Sequence, residues 1–233
     1  MFHVMRNKFF LIILLSLLIA GCANEGVKVE EPQVNYQPYY DLVDKVASGL
    51  KDGFSEEEML LKEYGGLGLS TCIYRTNYRD YEVIGYMYKD LDGDGIDELL
   101  LGENSRDGTP GWDSIIYNIF TLKDGELFPV AYGEERHRLY LCEDGTIAVE
   151  GSSGAAYTSL EYFRYSDGEL SIIESCFSTE AAGSQIAWHH SFDEAYMGEA
   201  TDISKEEAWE LIDSHVYQKL DFTWFEYELN KGY

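Results

Sequence analysis

Asp90, Asp92 and Asp94 stand at alternate positions in Lys89-Asp90-Leu91-Asp92-Gly93-Asp94-Gly95-Ile96-Asp97-Glu98. Counted from Asp90, the three aspartates take positions 1, 3 and 5 of an EF-hand-type loop. Gly95 falls at the sharp turn of position 6, Ile96 offers its carbonyl at 7, and Glu98 stands at 9. Carboxylates crowded on one tight turn repel one another, and a hard divalent ion held by oxygen ligands relieves that repulsion. The expected ion is calcium, and its expected ligands are Asp90, Asp92, Asp94, the Ile96 carbonyl and Glu98. Position 12, where an EF-hand carries a bidentate Glu, is Leu101, and a strand-like Leu99-Leu100-Leu101 replaces the following helix. The missing ligand sets the expected Kd at about 10⁻⁴–10⁻³ M, the range of extracellular modules. No base or nucleophile lies near the loop in sequence, so the ion's expected role is structural. The plain alternative is a polar hairpin turn, which has no need of acids at i, i+2, i+4 and i+8.

Other combinations carry less chemistry. Ser48-Gly49-Leu50-Lys51 matches S-x-x-K without the companion motifs of serine acyl enzymes, and reads as a solvated helix face. Gly151-Ser152-Ser153-Gly154-Ala155-Ala156 lacks the final Gly of a nucleophile elbow and reads as a wide turn. His189 and His190 are adjacent, so on a strand they point to opposite faces and do not share a ligand. His137 and His215 have no partners at metal-binding spacing, and neither a P-loop nor a dinucleotide-binding glycine motif is present. Trp112, Tyr157, Tyr162, Tyr165 and Trp188 are candidates for a sugar-stacking platform, although aromatic residues also suit half-buried strand positions. Three cysteines follow residue 22: Cys72, Cys142 and Cys176. A Cys142–Cys176 disulfide and three buried thiols both remain open, with thiols the simpler reading. No catalytic residue is assigned, and a hydrolase built from dispersed acids and histidines is the remotest alternative.

The N-terminus reads as an address. Arg6 and Lys8 precede an apolar run from Phe9 to Ala20, which suits a signal-peptide core and is too short to span a bilayer. Leu18-Ile19-Ala20-Gly21-Cys22 resembles a bacterial lipobox, in which small residues precede an obligatory, lipidated cysteine. The resemblance implies cleavage after residue 21 and acylation of Cys22. Two or more acyl chains anchor a protein stably. Residues 22–37 then read as the lipidated cysteine and a flexible tether, and residues 38–233 as one domain.

With 43 acidic against 17 basic residues and a net charge of −26, the chain is unsuited to nucleic acid or to anionic lipid surfaces. Cleavage removes Arg6 and Lys8 and no acid, so any hold on the membrane falls to the lipid. At 45% hydrophobic and 15% aromatic residues, the chain has material for a core. Tyr39, Leu42, Val43, Val46, Ala47 and Leu50 form a helical stripe over residues 38–51, and Ser55-Glu56-Glu57-Glu58 opens a second short helix. From about Tyr81 the pattern becomes strand-like, with Asp-Gly turns at 94–95, 124–125, 144–145 and 167–168. Ser204-Lys205-Glu206-Glu207 caps a last helix whose stripe runs from Ala208 to Leu220, and Phe222–Leu229 suggests an edge strand. The predicted fold is α+β: an antiparallel β-meander of eight or nine strands, with helices N-terminal to it and one C-terminal helix.

The pattern Asp90–Gly102 is similar to the calcium hairpins of FG-GAP and integrin-type blades, in which the last acid, here Glu98, completes the cage. The lipobox, short helical segment, hairpin and Asp-Gly meander together resemble a set of surface lipoproteins of Gram-positive bacteria. That resemblance implies no activity. The sequence therefore leads to a lipid-anchored extracytoplasmic lipoprotein with a structural calcium loop, acting as a binding or envelope-associated module. Its expected partners are the membrane, through Cys22, and a cell-wall glycan or another envelope protein. The first alternative is a carbohydrate- or cell-wall-binding module.

Overall fold

The stripe of Tyr39, Leu42, Val43, Val46 and Ala47 winds into helix α1 (Gln37–Asp52), and all five side chains are buried. A period of 3.6 residues places them on one face, while Ser48 and Lys51 stay exposed on the other. The computed structural model describes residues 34–52, 68–69, 71–73, 84–105, 113–134, 136–183 and 185–225. The signal segment, Cys22, the helix expected at residues 55–61 and Trp112 lie outside the described residues. Val34 to Tyr233 forms one compact unit. Tyr36, just before α1, packs on the helix-side core, its ring 5.7 Å from that of Tyr39 and tilted by 33°.

The strands are β1 (Ile84–Lys89), β2 (Glu98–Glu103), β3 (Ile115–Lys123), β4 (Glu126–Tyr132), β5 (His137–Leu141), β6 (Ile147–Gly154), β7 (Tyr157–Ser166), β8 (Glu169–Ala181), β9 (Gln185–Ser191), β10 (Ala200–Ile203) and β11 (Thr223–Trp224). Helix α2 (Lys205–Ser214) lies between the last two. All eleven strands belong to one antiparallel sheet in the order β10-β9-β8-β7-β6-β5-β3-β2-β1-β11, with β4 also paired to β3. The meander is thus present, with more strands than the eight or nine expected. Two of the strands carry little pattern to read: β10 is four residues without a buried side chain, and β11 is two residues on the sheet edge against β1. Residues 226–229 of the expected edge strand lie outside the described residues.

Each of the four expected Asp-Gly turns joins consecutive strands. Asp124-Gly125 and Asp167-Gly168 have positive φ at both residues (55° and 79°, 49° and 73°), the requirement of a type I′ hairpin turn. β3 is the branch point. Its C-terminal part pairs with β4, while Ile116 pairs with Leu139 of β5. A bulge against β2 adds a residue between Ile116 and Asn118 and switches the facing of the strand. Before it Ile116 joins one core and Tyr117 the other, and after it Ile119 and Phe120 do the same with shifted parity.

Both faces of the sheet are therefore apolar. α1 packs on the face with Leu99, Leu101, Tyr117, Phe120, Tyr140 and Tyr162. The second face joins Leu100, Ile116, Ile119, Leu139, Leu141, Ile147, Val149 and Tyr165 to Leu220 and Phe222. β7 is four places from β2 in the sheet, yet Tyr165 reaches Glu98 and the β7–β8 turn reaches Asp92. The sheet must curl to bring them together, in keeping with the twist of antiparallel strands.

The C-terminal helix is shorter than its stripe suggested. Ser204 closes a reciprocal capping box with Glu207, and His215 ends the helix after ten residues. Backbone pairing of the following segment with β5 and its turn takes over, through Glu143 N–H to Val216 O at 2.8 Å and Gln218 N–H to Leu141 O at 2.7 Å. Val216 is exposed, while Leu220 enters the second core from an extended segment. Residues 151–154, expected in a wide turn, extend β6 instead, because Gly151 and Ser152 pair with Ser159 and Thr158 of β7.

Candidate metal centre

The β1–β2 connection folds on its own carboxylates. Asp90 Oδ1 accepts the Gly93 N–H at 2.7 Å, and its Oδ2 accepts the Gly95 N–H at 3.0 Å. Asp92 Oδ1 accepts from Asp94 N–H at 3.3 Å, and Asp94 Oδ1 from Ile96 N–H at 2.7 Å. Short acidic side chains that cap the backbone two residues on make a series of Asx turns. Gly93 and Gly95, with φ of 82° and 88°, let the chain reverse without a Cβ penalty.

The loop draws Asp90, Asp92 and Glu98 together, with one oxygen of each within 4.8 Å of the others. Asp94 does not come within that distance of the trio, and Ile96 follows with its N–H on Asp94. Three distant elements hold the group from outside. Asp92 Oδ2 accepts the Asp167 N–H of the β7–β8 turn at 2.8 Å. Glu98 Oε1 accepts from Tyr165 at 2.8 Å and Thr121 at 3.1 Å. The Asp97 N–H donates to the Tyr36 hydroxyl at 3.0 Å.

Glu98 is the unusual member. It opens β2, it is 2% exposed, and burial pushes its carboxyl above the usual carboxylate range. The charge acting on it is that of Asp92, another anion. Among the described residues Oε1 has two donors and Oε2 has only the Leu91 N–H at 3.0 Å, which leaves Oε2 a lone pair for a cation. Oxygen-only donors facing one point suit a hard divalent ion such as calcium, and lack the nitrogen and sulfur that zinc and copper favour.

The remaining sequence candidates disperse. Tyr162 and Tyr165 are core residues at 0% and 4% exposure, so they leave the proposed sugar platform. The hydrophobic alternation of β7 turned them inward. His189 bonds Asp202 and Thr179, whereas His190 bonds Glu174, as opposite facing on β9 requires. Cys72, Cys142 and Cys176 are free, buried thiols.

Trp188 does gain a partner. A groove of about 730 Å³ is lined by Trp188 of β9, Trp209 and Ile212 of α2, Arg136, Arg138 and Glu150, and the small residues Gly151, Ser152, Gly154 and Ala155. The indoles lie 6.2 Å apart at 52°, and neither His189 nor His190 lines the groove. Trp209 was legible only as part of a helical stripe. Its 47% exposure shows that this helix presents it outward. No helix among the described residues is long and apolar enough to cross a membrane. No family model, curated protein or solved structure matches this chain.

Proposed function

We propose that the chain is a lipid-anchored extracytoplasmic lipoprotein whose sheet is stabilised by calcium at the Asp90–Glu98 loop, and that it acts as a binding or envelope-associated module. One observation carries the calcium reading: a buried glutamate lies with two aspartates, and the charge acting on it, that of Asp92, is repulsive. Burial of an ionised carboxylate is costly unless a cation or a proton compensates it. Calcium would bind Asp90, Asp92 and Glu98 Oε2, with Asp94 and the Ile96 carbonyl as the further ligands expected from the loop spacing. Since Asp92 also holds the β7–β8 turn, an ion there would tie the β1–β2 loop to the far side of the curled sheet. The anchor rests on Leu18–Cys22 and on the mismatch between a strongly acidic body and an anionic membrane.

Thermal melts of the full chain in detergent, in calcium, magnesium and EDTA, test the loop beside an Asp92→Ala/Asp94→Ala variant. A calcium-specific rise that the variant lacks supports the proposal, and identical melts in all three buffers refute it. For the anchor, fatty-acid labelling in a bacterial host should be lost in Cys22→Ala. Labelling that persists in the variant removes the lipobox reading.

The groove favours a second reading, a carbohydrate- or cell-wall-binding module. Paired indoles offer faces for sugar rings, and the arginines and Glu150 offer hydrogen bonds to hydroxyls. Co-sedimentation with purified wall polysaccharide should fall in Trp188→Ala and Trp209→Ala. Equal sedimentation of parent and variants refutes this reading.

A further inference from the structure

A second group of metal-type ligands lies outside the acidic loop, where the β5–β6 turn meets the end of α2. Cys142 follows β5, Asp144 sits in the turn, and His215 caps the helix. Their ligand atoms lie within 4.8 Å of one another. His215 Nδ1 is 3.3 Å from Asp144 Oδ2. Two ligands held at about 2.05 Å from a tetrahedral zinc are separated by about 3.3 Å.

The atoms on the far side of each side chain are tied back. Asp144 Oδ1 accepts both the N–H and the hydroxyl of Thr146, at 2.9 and 2.7 Å, which turns Oδ2 toward the histidine. His215 Nε2 lies 3.4 Å from Glu174 Oε1, and Glu174 Oε2 is bonded to His190 at 2.9 Å. A carboxylate behind a histidine's outer nitrogen is the usual support of a metal-binding imidazole. The His215 ring is also clamped on Tyr162, with centroids 3.7 Å apart at 15°. The Tyr162 hydroxyl is an independent sign. It is buried, and it has no hydrogen-bond partner among the described residues. An orphan of this kind points to a missing water or ion.

We propose that Cys142, Asp144 and His215 form a zinc site, with His215 bound through Nδ1 and Glu174 as its positioning residue. One sulfur, one nitrogen and one carboxylate oxygen are a zinc donor set and a poor calcium one. Three protein ligands leave the fourth position for water, and the Asp144 side chain is half exposed. On binding, the Cys142 thiol gives its proton to solvent and the thiolate sulfur takes the metal. The site is independent of the calcium loop.

Cobalt(II) titration of the full chain, in excess calcium to saturate the acidic loop, reads the site directly. The expected result is a thiolate-to-cobalt charge-transfer band with tetrahedral visible absorption, bleached by zinc. Cys142→Ser should lose the band, and Glu174→Gln should keep it while zinc affinity falls about 10–100-fold. A parent spectrum without the band overturns the proposal, as expected if His215 simply bridges Asp144 and Glu174 by polar contacts. A band that persists in Cys142→Ser overturns it equally. The parent spectrum needs no variant to fold.

Discussion

Glu98→Gln separates a calcium ligand from a merely buried carboxylate, because the two accounts predict different responses to calcium. The substitution keeps the volume of the side chain and removes its charge. Glu98 Oε1 has two hydroxyl donors, so the amide oxygen of the variant would take that place and leave its amide nitrogen facing the Leu91 N–H. Donor against donor costs about 1 kcal/mol at this partly buried position, offset in EDTA by the loss of repulsion from Asp92. Without calcium the variant should therefore be destabilised by no more than about 1 kcal/mol. With calcium at about 10–100 times Kd, the parent should gain about 1.4–2.7 kcal/mol by linkage, and the variant little of it. For a domain of this size that gain corresponds to a rise in Tm of about 3–11 °C. Urea unfolding of both proteins, in calcium and in EDTA, gives the four stabilities needed. An equal calcium increment in parent and variant would refute the reasoning.

Further consequences concern the same carboxyl and the packing around it. Burial raises the Glu98 carboxyl in the folded state, so the native chain holds that proton more tightly than the unfolded chain. Its contribution to stability is full below the unfolded pKa of about 4.3 and is lost as pH rises through the folded value. In EDTA, the stability of the parent relative to Glu98→Gln should thus increase as pH falls from 7 toward 5, and the calcium-induced rise in Tm should shrink over the same range. A relative stability that stays constant with pH contradicts this. Gly102→Ala should destabilise by about 1–3 kcal/mol in urea unfolding, since a Cβ there would stand 2.2 Å from the Phe222 ring and 2.5 Å from the Ile115 carbonyl oxygen. Ser204→Ala should cost about 1 kcal/mol by removing the oxygen that caps the Glu207 N–H, again read from urea unfolding.

Local rules made much of this fold legible. The stripe from Tyr39 to Ala47 placed α1 within a residue of its ends, and the Asp-Gly pairs marked four of the turns because positive φ is a strictly local demand. What escaped was non-local. Nothing in Asn118 to Lys123 indicates that β3 pairs with β2, β4 and β5, and the bulge that allows it reveals itself only as a change of facing. The end of α2 was misplaced for the same reason: pairing of residues 216–218 with β5 and its turn stopped a stripe that periodicity alone would carry to Leu220. At the acidic loop, the spacing of Asp90, Asp92 and Glu98 was readable, but not that Tyr165 and Asp167, some seventy residues on, would hold them. Trp209 and His215 had no motif at all. Each meets its partners only through the curl of the sheet and the end of the helix.

The claim on which the account rests is that the Asp90–Glu98 loop holds one calcium ion, and a calorimetric calcium titration of the full chain, with magnesium titrated in parallel, tests it most directly. The account predicts one saturable calcium per chain, with Kd of about 10⁻⁴–10⁻³ M, much weaker magnesium binding, and loss of the calcium signal in an Asp90→Asn/Asp92→Asn variant. Calcium binding that the variant retains unchanged, or no saturable binding in the parent, would contradict it.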